Sequence, residues 1–197
     1  MERGSDRHSC RHRGRPHVEK QESARTPRVP HAAWRESPSL RAKRSSRLAT
    51  VTIITPFLDD DPRAWQCLRR YATELAERFP EGYDEATLTR PEELDGALLL
   101  ACERDRPAGC GVWVRLSPGI AEIRHLWTDT TARGLGLGRR LLDQLETDAA
   151  AHGVRTLRLG THSSLDEAIA LYRSSGYREI DPYNTSPYNQ LCFEKRL

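Results

Sequence analysis

The 197-residue chain is short of several things, and each shortage excludes something. Its five cysteines, Cys10, Cys67, Cys102, Cys110 and Cys192, are odd in number and widely spaced. No C-x-x-C and no paired Cys/His spacing occurs, so zinc and disulfide scaffolds are disfavoured, no metal is expected, and a reducing cytoplasmic setting is. Long apolar runs are missing too. The longest, Gly96 to Cys102, falls far short of the roughly 20 residues that cross a bilayer. The arginine-rich start has no apolar stretch behind it of the kind a secretory signal needs, and no internal repeat is visible.

The first 47 residues lack the material of a core. Their large apolar side chains are Val18, Val29, Trp34 and Leu40, set among Arg, His, Ser and Pro, so burial cannot offset the entropy of ordering them. A disordered basic tail is expected over 1–47 and one folded domain over 48–197. Charge divides at the same place. The tail carries 13 Lys+Arg against 5 Asp+Glu, whereas the remainder carries 18 against 23, so the overall +3 belongs to the appendage. The tail matches no part of the chemistry read below and is expected to be a dispensable extension, even an over-called start with translation beginning near Val51.

What the folded part does contain is a regular alternation of patterns. Ala49 to Thr55 is β-branched and closed by Pro56, which reads as a strand. After the acidic turn Asp59-Asp60-Asp61-Pro62, the apolar residues Trp65, Leu68, Tyr71, Ala72 and Leu75 recur at helical spacing as far as about Phe79. Three strand candidates follow, Ala97–Glu103, Gly109–Leu116 and Ile120–Thr128, joined by turns short enough for an antiparallel meander. Leu137, Leu141, Leu145 and Ala149 mark a second helix, Arg155–Gly160 a strand, and Ser164-Leu165-Asp166-Glu167 a capping box that opens a third helix. Tyr177–Asp181 and Leu191–Lys195 complete the chain as strands. The order β-α-βββ-α-β-α-ββ predicts an α+β fold, with one central mixed, mostly antiparallel sheet of six or seven strands flanked by helices.

Between the third meander strand and the second helix stands Arg133-Gly134-Leu135-Gly136-Leu137-Gly138-Arg139. Alternate glycines expose the backbone, and the first N–H groups of a helix have no intrahelical acceptor, so the turn is suited to an anion such as a diphosphate, with Arg133 and Arg139 as nearby cations. A Walker loop would need G-x-x-x-x-G-K-[ST], which is absent. A dinucleotide fingerprint counted from Gly134 would need glycine at position 139, which is arginine.

The motif that remains, Arg-Gly-x-Gly-x-Gly, resembles motif A of the GNAT superfamily of acyl-CoA-dependent N-acyltransferases. The likeness runs from about Thr50 to Leu197 and includes Ala121-Glu122-Ile123 and the stretch Ala168–Tyr177. It implies acetyl-CoA as co-substrate, its pantetheine arm against the strand end Leu126-Trp127-Thr128 and its diphosphate on the amides of Arg133, Gly134, Leu135, Gly136, Leu137, Gly138 and Arg139. It also implies Tyr172 near the thioester sulfur as donor to the departing thiolate, and Glu122 as general base, with His125 and Asp129 as lesser candidates. Many relatives carry Asn after the second parallel strand, where this chain has Thr161-His162-Ser163-Ser164. A serine hydroxyl there is the expected substitute.

The implied activity is direct transfer of an acetyl group to a primary amine, with an amine acceptor as partner and no membrane. A homodimer is compatible. The rival reading is a non-catalytic acyl-CoA-binding or nucleic-acid-associated regulator using the basic tail, which five acids and a single aromatic residue, Trp34, make the weaker one. The acceptor surface is expected in about Asp59–Thr89 and in Pro182–Asn189.

Overall fold

The computed structural model describes residues 51–54, 61–90, 94–104 and 106–197. All of them lie in one compact unit, Ser45–Leu197. The expected disordered tail, and Asp59 and Asp60 of the acidic turn, lie outside the described residues. No described helix is long and apolar enough to cross a membrane.

The elements follow the expected order: β1 (Val51–Ile54), α1 (Pro62–Arg78), β2 (Gly96–Glu103), β3 (Arg106–Ser117), β4 (Ile120–Thr128), α2 (Leu137–Ala151), β5 (Thr156–Thr161), α3 (Asp166–Ser174), β6 (Arg178–Ile180) and β7 (Leu191–Arg196). One sheet of seven strands results, ordered β1-β2-β3-β4-β5-β7-β6. Only β4 and β5 run parallel, joined by the crossover through α2.

The sheet has a core on each face. On one, Leu99, Trp113, Ile123, Leu157 and Phe193 pack under α2 and α3 through Leu141, Leu145, Ile169 and Tyr172. On the other, Leu98, Leu100, Val112 and Trp127 meet the α1 stripe Ala64, Cys67, Leu68 and Ala72. Asp61 caps α1 by accepting a bond from the Arg63 N–H at 2.9 Å, with Pro62 in the first turn, as the sequence suggests.

One local expectation needs correcting, and one strand departs from regular alternation. The capping box at Ser164 does not form. The Ser164 Oγ lies 2.7 Å from Nδ1 of His162, and the Glu167 carboxylate is taken by Arg78, so α3 starts one residue after Leu165 without a side-chain cap. Nor does β4 keep strict alternation. His125 has φ of +52°, and the β3–β4 register jumps between Cys110 opposite Trp127 and Val112 opposite Arg124. The bulge leaves one extra residue on β4 and exchanges the faces beyond it. Ile123 packs on the α2 side, while Trp127, four residues on, packs beneath α1.

Candidate active site

β4 and β5 stay paired only from Ile120 opposite Thr156 to Ile123 opposite Leu159. Beyond Ile123 the strands part. The Asp129 N–H bonds the Ala108 carbonyl at 2.8 Å, so alternation turns the peptide groups of Leu126 and Thr128 away from β3 towards the gap, and that of Trp127 towards β3. Trp127 contributes its side chain instead. Its indole N–H donates to Glu74 of α1 at 2.8 Å, and the Arg70 guanidinium lies 5.2 Å from its ring centre.

Two adjoining cavities open where the strands separate. The first, about 350 Å³, is lined by Leu126, Trp127, Thr128, Arg133, Gly134, Gly136, Leu137, Gly138 and Arg139 with parts of α1 and α3. Gly134 and Gly136 have φ of +73° and +78°, and a Cβ at either would point into open space. Gly136 is the N-cap of α2 and supplies no side-chain cap, so the amides that open the helix are left for a ligand. This exposed backbone fits a diphosphate, as the motif implies.

The arginines of the turn have protein partners. Arg133 donates through Nη2 to both Glu74 oxygens, at 2.7 and 2.6 Å, and through Nε to the Thr128 carbonyl at 3.1 Å. Arg139 binds the Ser174 carbonyl at 3.1 Å. Glu74 thus ties α1, the indole of Trp127 and the glycine turn together. Burial works against its ionisation, but the bonds from Arg133 and Trp127 outweigh that and hold its carboxyl below the usual range. Sequence reasoning missed Glu74, because nothing in a solitary helical glutamate reports a partner 59 residues away.

The second cavity, about 420 Å³, is lined by side chains from α1, the loop after it, β4, β5, α3 and residues 184–189. Six residues line both cavities: Tyr71, Leu75, Leu126, Leu165, Ala168 and Tyr172. Tyr172 therefore stands at their junction. Its ring packs against Tyr177 and Phe193, and among the described residues its hydroxyl has no hydrogen-bond partner. Burial, then the nearby Glu167, pushes its ionisation well above the usual phenol range, so it remains a proton donor.

Glu122 lines the second cavity and is 4% exposed. Its Oε1 accepts from the Tyr183 hydroxyl at 2.6 Å and from Asn184 at 3.2 Å, while Oε2 accepts from the Arg124 guanidinium. Burial and this carboxylate together push the Tyr183 hydroxyl far above its usual range. The lesser base candidates have other work. His125 accepts from the Thr89 N–H at 3.0 Å, and burial followed by the Arg124 charge pushes its pKa down to about 3, so the ring stays neutral. Asp129 caps the short turn Thr130–Ala132 and pairs with Arg70. In the loop after β5 neither serine lines the first cavity. Ser163 bonds Gln190, Ser164 bonds His162, and it is His162 that reaches the second cavity.

The sequence model of the acetyltransferase (GNAT) family matches residues 61–177. The chain is 35% identical over 118 residues to an IAA acetyltransferase from Azospirillum brasilense, a match covering 58% of this chain and 74% of that protein. An acetyltransferase of GNAT family from Staphylococcus aureus superposes with a TM-score of 0.61 at 16% identity, over 75% of this chain and 99% of the other. A GNAT family acetyltransferase from Elizabethkingia anophelis, with acetyl-CoA bound, gives a TM-score of 0.55 at 20% identity, over 75% and 98%. At such identities these two structures speak for the fold, and the fold agrees.

Proposed function

The chain belongs to the acetyltransferase (GNAT) family and is an acyltransferase, and on that premise we propose that residues 48–197 move the acetyl group of acetyl-CoA directly to a primary amine in a ternary complex. The observation that carries the reading is the position of Tyr172 on the wall common to both cavities. One cavity offers backbone donors suited to a diphosphate, and the other is roomy enough for an amine.

Bound acetyl-CoA would supply an activated acyl carbon and a thiolate leaving group. The residues of the chain supply the rest. The amides of Gly134 to Arg139 would hold the diphosphate, and the turned-out Thr128 N–H and Leu126 carbonyl would align the pantetheine amides, the Thr128 carbonyl being taken by Arg133. The Leu126 N–H, turned into the gap on the wall common to both cavities, would stabilise negative charge on the acyl oxygen.

An alkylammonium, with pKa near 10, must lose a proton before it can attack. Glu122 takes that proton through water at the lone pair of Oε2 that Arg124 leaves open. As the C–N bond forms and the C–S bond breaks, Tyr172 hydrogen-bonds or protonates the sulfur. No acyl-enzyme is needed, and Cys67, Cys110 and Cys192 are buried. Buried thiols also suit the cytoplasmic setting. The tail, residues 1–47, takes no part in this scheme.

Calorimetry with acetyl-CoA, followed by thiol release in the presence of an amine panel, tests the proposal. Saturable binding and amine-dependent release are expected. No binding would sink it, and saturable binding without amine-dependent release would leave the non-catalytic acyl-CoA-binding reading.

A further inference from the structure

Resting on the acetyltransferase reading, we infer that the acceptor is a small arylalkylamine, a primary amine joined by a short chain to an aromatic ring.

The wall of the second cavity is a continuous series of rings. Tyr71 meets Tyr83 edge-on at 5.6 Å, Tyr83 meets Tyr188 at 4.7 Å, Tyr188 stacks with Phe79 at 5.8 Å, and Phe79 stacks on His162 at 4.2 Å. On the other flank Tyr71 meets the neutral ring of His125 at 5.3 Å. These six rings come from four separate stretches of chain and line a space instead of filling it. Aromatic pairs in edge and offset geometries favour another ring beyond the area they bury.

A roof closes this cavity to extended polypeptide. The Tyr188 hydroxyl accepts the Asp84 N–H at 3.0 Å, and Tyr183 and Asn184 hold the start of the same segment on Glu122. Asn189 lies over β5 where Gly160 lacks a side chain, since a Cβ there would come within 2.1 Å of it. The loop after α1 and the segment before β7 are thus tied together across the space that a peptide groove would need. About 420 Å³ suits a small molecule.

Charge selects the amine and limits it to one. Among the cavity-lining residues the carboxylate of Glu122 and the guanidinium of Arg124 are paired with each other. Glu81 stands 3.3 Å from His162, and Asp84 holds Tyr188 by its backbone. One ammonium is attracted by the ring faces and the Glu122 carboxylate. A second cation, as in a polyamine, would find the one lining carboxylate already engaged and the Arg124 guanidinium beside it.

The test is steady-state acetylation by the full chain with acetyl-CoA and 2-phenylethylamine, spermidine, a lysine-containing peptide and a peptide with a free N-terminus. The inference expects kcat/KM for 2-phenylethylamine about tenfold or more above the others, the worth of one or two ring contacts. An equal or higher value for spermidine or either peptide would overturn the aromatic assignment and leave the acetyltransferase reading standing. No turnover with any amine would overturn both. In Tyr188→Leu the KM for 2-phenylethylamine should rise about tenfold with acetyl-CoA affinity unmoved. Tyr188→Phe, which keeps the ring and loses the Asp84 bond, should restore most of the affinity for the amine. An unchanged KM in Tyr188→Leu, or no recovery in Tyr188→Phe, counts against the ring wall.

Discussion

The two cavities that meet at Tyr172 are built from different parts of the polypeptide. The side proposed for acetyl-CoA is mainly backbone: two glycines in the left-handed region, the uncapped start of α2, and peptide groups turned outward beyond a bulge. The side proposed for the acceptor is mainly side chain, with rings and one buried carboxylate drawn from α1, three loops and β4. A backbone site can be shared by unlike sequences, because any residue without a Cβ conflict presents the same amides. Side-chain walls change with every substitution.

Tyr172→Phe attacks the seam between the two and carries the largest expected effect. With ring packing kept and the donor removed, kcat should fall about a hundredfold while the affinities for acetyl-CoA and amine hold. A fall in acetyl-CoA affinity of the same size would mean that Tyr172 belongs to one cavity alone. Gly136→Val should separate the sides next. A β-branched residue at φ of +78° is strained by roughly 1–2 kcal/mol and narrows the cradle, so acetyl-CoA Kd should rise about thirtyfold by calorimetry. The ratio of kcat/KM values between amines should stay as it was.

Glu122→Gln tests the acceptor side. The amide keeps an oxygen for Tyr183 but loses the charge facing Arg124 and the ability to take a proton. Activity at neutral pH should fall about tenfold and recover towards alkaline pH, where the amine is already neutral, with acetyl-CoA binding unchanged. A pH-rate profile parallel to that of the parent protein would remove Glu122 from proton transfer.

The smallest effect concerns the stability cost of an aromatic wall made partly of histidine. The pKa of His125 is about 3 in the fold against an ordinary 6.5, so as pH falls below 6.5 the unfolded chain takes up a proton that the folded one refuses. The depressed value means this contribution is complete above pH 6.5 and is lost as pH drops towards 3. Between pH 6.5 and 5.5, before the carboxylates titrate, that is about 1 kcal/mol. Denaturant unfolding of His125→Gln, whose amide can still accept from Thr89, should lose this slope. An unaltered slope would show that another group causes it.

The side proposed for acetyl-CoA was the more legible in the sequence. The glycines of Arg133–Arg139 are sequential, so the turn and its exposed backbone can be read from seven adjacent residues. Leu126 to Thr128 follow from the strand that leads into it. The sequence could not show that Arg133 is tied to Glu74, since the two are distant in the chain and charge pairing leaves no local pattern. The acceptor side was legible only as a region. Residues 59–89 and 182–189 were the expected stretches, but the pairing of Tyr83 with Tyr188 and of Phe79 with His162 depends on how far α1 runs and how the last loop folds back. Ser164 read as a helix cap because local propensity favours it, and His162 took its hydroxyl because the fold brings that ring within 2.7 Å.

What the sequence by itself determined is the order of elements, the mixed sheet and the glycine turn that opens α2. Each rests on interactions within a few residues: hydrophobic period, β-branching, a glycine conformation. Tertiary structure alone decided where β4 leaves β5, which face Trp127 takes after the bulge, and which rings share a cavity. Those outcomes turn on one left-handed residue in a strand and on contacts between segments far apart in the chain, 53 residues for Trp127 to Glu74 and 104 for Tyr188 to Asp84. No local propensity encodes them, because their energy is gained only once both partners have been brought together.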